Sequence, residues 1–279
     1  MKTRVKQQMV RFSFLSAWTL FPGLTGKLVK QLFFRPAAYP TSDEQKRVLQ
    51  SARAFTFMSE GSVLQAYQWG EGPAVLLVHG WAGRGIQFYR YVSKLVSRGY
   101  TVVTFDHAAH GQSQGRTANY FLFSNAVYDL WEQVPDLNIQ AVVAHSLGAS
   151  AVINCLWRTG KKPVTVFIAP ALHLVEMLDQ TFARYGLPNE IFTALIDEIG
   201  ARTNHTFSKE NPIDLLKTLT HDIMIIHDTD DRAVAYEDSW NAGLVQNNIS
   251  LFPTKGLGHI RILEDAPLID LVVKKIVTG

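Results

Sequence analysis

From residue 55 onward, short apolar runs alternate with stretches of helical periodicity, and this alternation constrains the fold more than any other feature. It is the pattern of a mostly parallel sheet covered by helices on both faces, because each parallel neighbour must be reached by a crossover. Eight runs read as strands: 55–58, 63–69, 74–79, 101–105, 140–145, 164–169, 223–227 and 249–252. The first two read as a hairpin around Glu60-Gly61. Helical stretches near 88–97, 121–132, 147–157, 236–245 and 267–277 lie between the later strands. A chain of 279 residues, 47% hydrophobic and 18% charged, can bury one large α/β core, and residues 43–279 are expected to form it.

One interval breaks the rhythm. About fifty residues separate the run ending at Ala169 from the one starting at Ile223, far more than a crossover needs. Within it, Pro188, then Ile191, Phe192, Leu195, Ile196 and Ile199, then Gly200, have the spacing and end signals of an amphipathic helix. The interval, about 170–220, therefore reads as an inserted helical lid, although the same apolar residues would also serve simply to pack the insertion.

Residues 1–42 carry seven Lys/Arg and no Asp/Glu, leaving 20 basic against 24 acidic residues in the remainder. The basic excess thus sits in a leader rich in Phe, Leu and Trp rather than on a nucleic-acid docking face, and no nucleic-acid partner is expected. The uncharged run from Phe12 to Gly26 imitates a secretory signal but is too short to span a bilayer and leads to no clear cleavage site. Two readings remain: a pair of short helices, broken at Pro22-Gly23 and packed on the body, or a cationic, aromatic anchor lying on a membrane surface. The first is preferred because composition alone supports the second. Cys155 is the only cysteine, which excludes an intrachain disulfide and makes a reducing, cytoplasmic setting the default, with peripheral membrane contact left open.

The chemistry concentrates at Ala144-His145-Ser146-Leu147-Gly148, which follows an apolar run and opens a helical stretch. Strand, sharp turn, helix is the context of a nucleophile elbow, whose strained serine needs small residues two before and two after it, here Ala144 and Gly148, to avoid colliding with each other. The Leu147 N–H then lies at a helix start, where it can meet a developing oxyanion. A second stretch, Gly111-Gln112-Ser113-Gln114-Gly115, fits Gly-x-Ser-x-Gly letter for letter, but no apolar strand runs into it and polar residues follow. Ser113 therefore reads as a loop residue.

These residues resemble the α/β-hydrolase family over roughly 55–279. His79-Gly80-Trp81-Ala82-Gly83 looks like the family's oxyanion loop, which implies the Trp81 N–H as second donor. Asp106 through Ser113 looks like the Asp-x-Arg-Gly-His-Gly-x-Ser loop, departing from it at Ala108 and Ala109. His227-Asp228-Thr229-Asp230-Asp231, running on to Val234, resembles the His-Gly-x-x-Asp-x-x-Val stretch that bears the acid; register favours Asp231 over Asp230, and Asp228 stands where glycine is usual. Gly258-His259, after the last strand, stands where the family carries its histidine. The resemblance implies Ser146 as nucleophile, His259 as base and Asp231 as its orienting acid, with no cofactor or metal.

Rival readings are weaker. Gly80, Gly83 and Gly85, about twenty residues before Asp106, imitate a dinucleotide fingerprint with the wrong glycine spacing. His79, His107 and His110 with Asp106 suggest a metal cluster, yet the loops explain them. Cys155 sits among helical apolar residues and reads as core. The expected activity is hydrolysis of a small-molecule ester with an apolar acyl or alkyl part. The alternatives are an acyltransferase or thioesterase with the same three residues, or a non-catalytic ligand-binding protein on the same fold.

Overall fold

Every residue of Ala74–Val78 and of Thr101–Phe105 is buried, as uninterrupted apolar runs require when helices cover both sides of a parallel sheet. The computed structural model describes the chain from residue 2 to residue 279, with side chains from Met9 onward. Its strands are Arg53–Ser59 (β1), Ser62–Trp69 (β2), Ala74–Val78 (β3), Thr101–Phe105 (β4), Ile139–His145 (β5), Val164–Ile168 (β6), Ile223–Asp228 (β7) and Ile249–Thr254 (β8). They form one eight-stranded sheet in the order β1-β2-β4-β3-β5-β6-β7-β8. β2 runs antiparallel to both its neighbours, and the other pairs are parallel. The β1–β2 turn places Glu60 and Gly61 at φ 47° and 71°, the pair of left-handed residues a two-residue hairpin favours.

Side-chain alternation divides the core. Val75, Leu77, Val102, Val143, Val166 and Ile226 face a cluster with Phe88, Tyr91 and Leu95 and with Ile269, Val272 and Ile276 from helix Ala266–Thr278. Their neighbours Leu76, Val103, Val142, Phe167 and Ile225 point the other way. Each fully buried side chain of this size contributes roughly 1.5–3 kcal/mol relative to exposure. The strand ends β3, β5, β7 and β8, held in register by this packing, deliver the loops that matter below.

The chain divides into two units, one comprising Pro36–Leu172 with Pro212–Gly279, the other Met1–Arg35 with His173–Asn211. The first holds the sheet. The second is helical: Lys2–Leu20, Pro22–Phe33, Leu174–Arg184 and Asn189–Thr203. Within this unit the leader, up to Arg35, is grouped with the inserted segment. The reason is a matched apolar face. Thr25, Gly26 and Val29 are buried, Gly26 lies close to Trp18 and Leu195, and Phe33 stacks on Phe182 with centroids 4.5 Å apart. Lys30 pairs with Glu198, which also binds Arg202. Pro22 sits in the first turn of its helix, where the missing N–H costs nothing, so the break expected there separates two helices. Among the described residues, no helix is long and apolar enough to cross a membrane.

Candidate active site

Ser146 follows β5 and stands at the N-cap of helix Leu147–Thr159 with φ 53° and ψ −125°, a conformation that a non-glycine residue holds only when its surroundings impose it. β6 does the imposing. Ser146 N–H donates to Ile168 O at 3.0 Å, and Ala171 N–H donates to Ser146 O at 3.3 Å. Gly148 is needed for a different reason from the one the sequence suggests: a Cβ there would sit 2.4 Å from His79 O and 2.7 Å from Val78 O, so it is the end of β3, rather than Ala144, that the helix start must clear. Gly80 is constrained likewise, since its Cβ would lie 2.7 Å from that of Ser146.

The three residues that the sequence proposes as a set come together across 113 positions of chain. Ser146 Oγ lies 3.0 Å from His259 Nε2, and His259 Nδ1 lies 2.7 Å from Asp231 Oδ2. With Nδ1 donating to the carboxylate, Nε2 keeps its lone pair for the serine proton. The Asp231 side chain is fully buried, and its Oδ1 accepts from Ala233 N–H at 2.8 Å and Val234 N–H at 3.0 Å. Val234 N–H thus meets the carboxylate that register favours, whereas Asp230 is exposed and its N–H donates to Asp228. Burial works to raise the Asp231 carboxyl, but His227, His259 and Val234 N–H together hold it well below the usual carboxylate range.

Three side chains that support this arrangement escaped the sequence reading. His227 Nε2 lies 3.3 Å from Asp231 Oδ2, off the line of a well-formed hydrogen bond, while its Nδ1 meets Ser239 Oγ at 2.7 Å. Asp228, in the place of the usual glycine, accepts from Thr254 Oγ1 at 2.8 Å and Leu257 N–H at 3.0 Å, buckling the end of β7 to the loop that carries His259. His145 Nε2 donates to His259 O at 2.9 Å.

The loop after β3 is shaped by two neutral histidines. His79 Nδ1 donates to Gly80 O at 2.7 Å while its Nε2 accepts from His107 N–H, and His110 Nδ1 donates to Ala108 O while its Nε2 accepts from Ala82 N–H at 3.1 Å. Ala82, at φ 56°, and the Gly83 N–H to Gly80 O bond complete a tight turn around Trp81. Burial holds His79 well below the ordinary histidine range and His110 down at about 4, so both remain bare acceptors at neutral pH. His107 stacks on Phe123 with centroids 3.6 Å apart. The nitrogens of His79 and His110 are turned to the backbone, those of His107 meet no hydrogen-bond partner among the described residues, and among these residues no cluster of His, Cys, Asp or Glu is arranged to hold a metal. Asp106 accepts from Gly85 N–H and Gln112 N–H, tying the same loops together.

Ser113 hydroxyl donates to Asp106 O and accepts from Gln65 N–H, a structural role for the letter-perfect motif. Cys155 is buried, and burial pushes its thiol up to about 12, which removes it as a nucleophile.

Sheet order, elbow and a serine, aspartate and histidine after β5, β7 and β8 define the class: an α/β protein of hydrolase architecture. The α/β hydrolase family profile matches residues 75–271, and the chain belongs to that family. Among curated relatives, a non-heme chloroperoxidase of Kitasatospora aureofaciens is 29% identical over 131 residues, covering 46% of each chain. The magnesium-chelatase 30 kDa subunit of Rhodobacter capsulatus is 33% identical over 86 residues, 30% of each. The chain therefore matches less than half the length of these relatives. Among solved structures, an esterase of Pyrococcus furiosus superposes with TM-score 0.64 at 18% identity, covering 87% of this chain and 97% of that one. A thioesterase domain from the curacin biosynthetic pathway gives 0.60 at 18%, covering 81% and 99%. At such identity these two speak for the fold.

Proposed function

We propose that this protein hydrolyses carboxylic esters through an acyl-enzyme on Ser146. The observation that carries the reading is the continuous link from Ser146 Oγ through His259 to Asp231, at 3.0 and 2.7 Å. In the proposed cycle His259 Nε2 takes the serine proton as Oγ bonds to the ester carbonyl carbon; collapse of the tetrahedral intermediate breaks the bond to the alkoxy oxygen, which leaves with that proton. Water, deprotonated by the same nitrogen, then bonds to the acyl carbon and releases the acid and the free serine. The ionised Asp231 holds the imidazole in the tautomer needed and offsets its transient positive charge. The N–H groups of Trp81 and Leu147 are the proposed oxyanion donors. The steps as written call for no cofactor.

The apolar character of the inserted helix Asn189–Thr203 supports a substrate with an apolar acyl or alkyl part, and a lid role for the insertion belongs to the same proposal. The buried, unreactive Cys155 accords with a cytoplasmic setting. A fluorophosphonate probe tests the nucleophile: the wild type labels on Ser146, and Ser146→Ala does not label. Label on Ser113 would overturn the assignment. Para-nitrophenyl esters, thioesters and amides of graded chain length then separate an esterase from a thioesterase, and added alcohol acceptors reveal acyl transfer. Binding without turnover of any of them would favour a ligand-binding protein.

A further inference from the structure

Helix Pro22–Phe33 carries two adjoining apolar stripes, about a third of a turn apart, and among the described residues only one of them is covered. Thr25, Gly26 and Val29, with Phe33, form the face turned to Trp18, Leu195 and Phe182. Beside it, the N-cap residue Phe21 and then Leu24, Leu28 and Leu32, at the spacing of successive helical turns, are exposed by 62, 70, 49 and 59%. Leu20, Phe12 and Met9 on the preceding helix are exposed as well. One exposed leucine is ordinary; a contiguous stripe of this length marks a surface that something else covers.

The charge around the stripe identifies what. Arg11, Lys27 and Arg35 are exposed on the same segment, the leader holds seven Lys/Arg in total, and no Asp or Glu occurs in residues 1–42. The leader itself therefore offers no carboxylate to a basic protein partner or to a second copy's basic residues, and the one that it meets, Glu198, is taken up by Lys30 and Arg202. An apolar stripe on a segment whose own charges are all basic fits a bilayer interface with anionic headgroups, where Leu and Phe enter the acyl boundary and Lys and Arg meet phosphates. We infer that this helix docks the protein peripherally on an anionic lipid surface, with Phe21, Leu24, Leu28 and Leu32 as the inserted residues. Lys30 is set apart from the free cations because Glu198 neutralises it. The inference is independent of the proposed hydrolysis.

The test is flotation of the full chain with phosphatidylcholine vesicles, with and without about a quarter phosphatidylglycerol. The wild type is expected to float with the anionic vesicles, weakly with the neutral ones, and to release as salt rises. Leu24→Ser, Leu28→Ser and Leu32→Ser combined should lower partitioning at least about 10-fold, and Arg11→Gln with Lys27→Gln several-fold on anionic vesicles only. All five positions are exposed, so both variants keep the fold, which circular dichroism and unchanged fluorophosphonate labelling report separately. Wild type that stays with the pellet in every mixture overturns the inference, as does equal, salt-insensitive binding to neutral vesicles or a triple variant that floats like wild type. Light scattering that shows a dimer dissolved by the triple substitution, without flotation, would assign the stripe to a second copy of the chain instead.

Discussion

His145 donates its Nε2 proton to the main-chain carbonyl of His259, 2.9 Å away, so the residue before the proposed nucleophile holds the backbone of the proposed base. The two rings also lie against each other, with centroids 4.6 Å apart. Replacing His145 by Leu removes the donor and leaves the His259 carbonyl to reorient. The expected result is a kcat about 10-fold lower with KM nearly unchanged, the scale of one net hydrogen bond expressed in the transition state. His145→Gln, which keeps a donor, should recover part of the loss. Equal behaviour of the two variants in steady-state ester kinetics would refute the positioning role.

The buckle at Asp228 makes a second prediction. It is buried, and its carboxylate accepts from Thr254 hydroxyl, Leu257 N–H and Asp230 N–H. Asp228→Ala strands these donors between the acid loop and the histidine loop. Urea unfolding should register a loss of about 3 kcal/mol, and kcat should fall with it because His259 and Asp231 lose their common anchor. Asp228→Gly, which restores the residue more usual in the family, should behave like the alanine variant, since neither reaches Thr254.

How much of this was legible beforehand depends on how local each cause is. The eight strands could be read because both faces of the central ones are buried, which forces uninterrupted apolar runs such as Ala74–Val78. Asp231 could be read because Val234 N–H, three residues on, holds it. Helix Asp43–Gln50 was missed although Ser42 and Gln45 form a capping box, because it buries no residue and so shows no apolar periodicity. Asp228, His145 and His227 act on atoms distant in sequence or through a ring whose direction only the fold sets. Which part of the chain the leader meets was not legible for the same reason: its face is complementary to an insertion about 150 residues away, and nothing in the leader says so.

Buried histidines give the stability a pH dependence of definite sign. Burial lowers His79 and His107 well below the ordinary value of 6.5, His110 to about 4, and His145 to about 3, so all four are neutral in the native protein near pH 6. Unfolding exposes them, and the unfolded chain then binds more protons. Stability is therefore complete above pH 6.5 and declines as pH falls toward 4, by up to about 1.4 kcal/mol per pH unit for each histidine whose uptake is complete. Urea midpoints measured from pH 7.5 to 4 check this. His110→Gln, still able to accept from Ala82 N–H, should shallow the slope; an unchanged slope would remove His110 from the account.

The two adjacent aspartates allow the acid assignment to be tested with almost no change in local sequence. Asp231 is buried against His259 at 2.7 Å, whereas Asp230 is exposed. Asp231→Asn preserves shape, yet its amide can offer His259 Nδ1 a donor where an acceptor is required, which favours the tautomer whose Nε2 already carries a proton. That nitrogen then has no lone pair for Ser146, and kcat should fall by about 10⁴. Asp230→Asn leaves the backbone N–H that meets Asp228 Oδ1 in place, so its kcat should stay within about 2-fold of wild type. Fluorophosphonate labelling rates give the same comparison without a chosen substrate. If Asp230→Asn proves the more damaging change, the carboxylate that orients His259 during turnover is not the one that touches it here, and the catalytic reading of the site would need a rearranged loop.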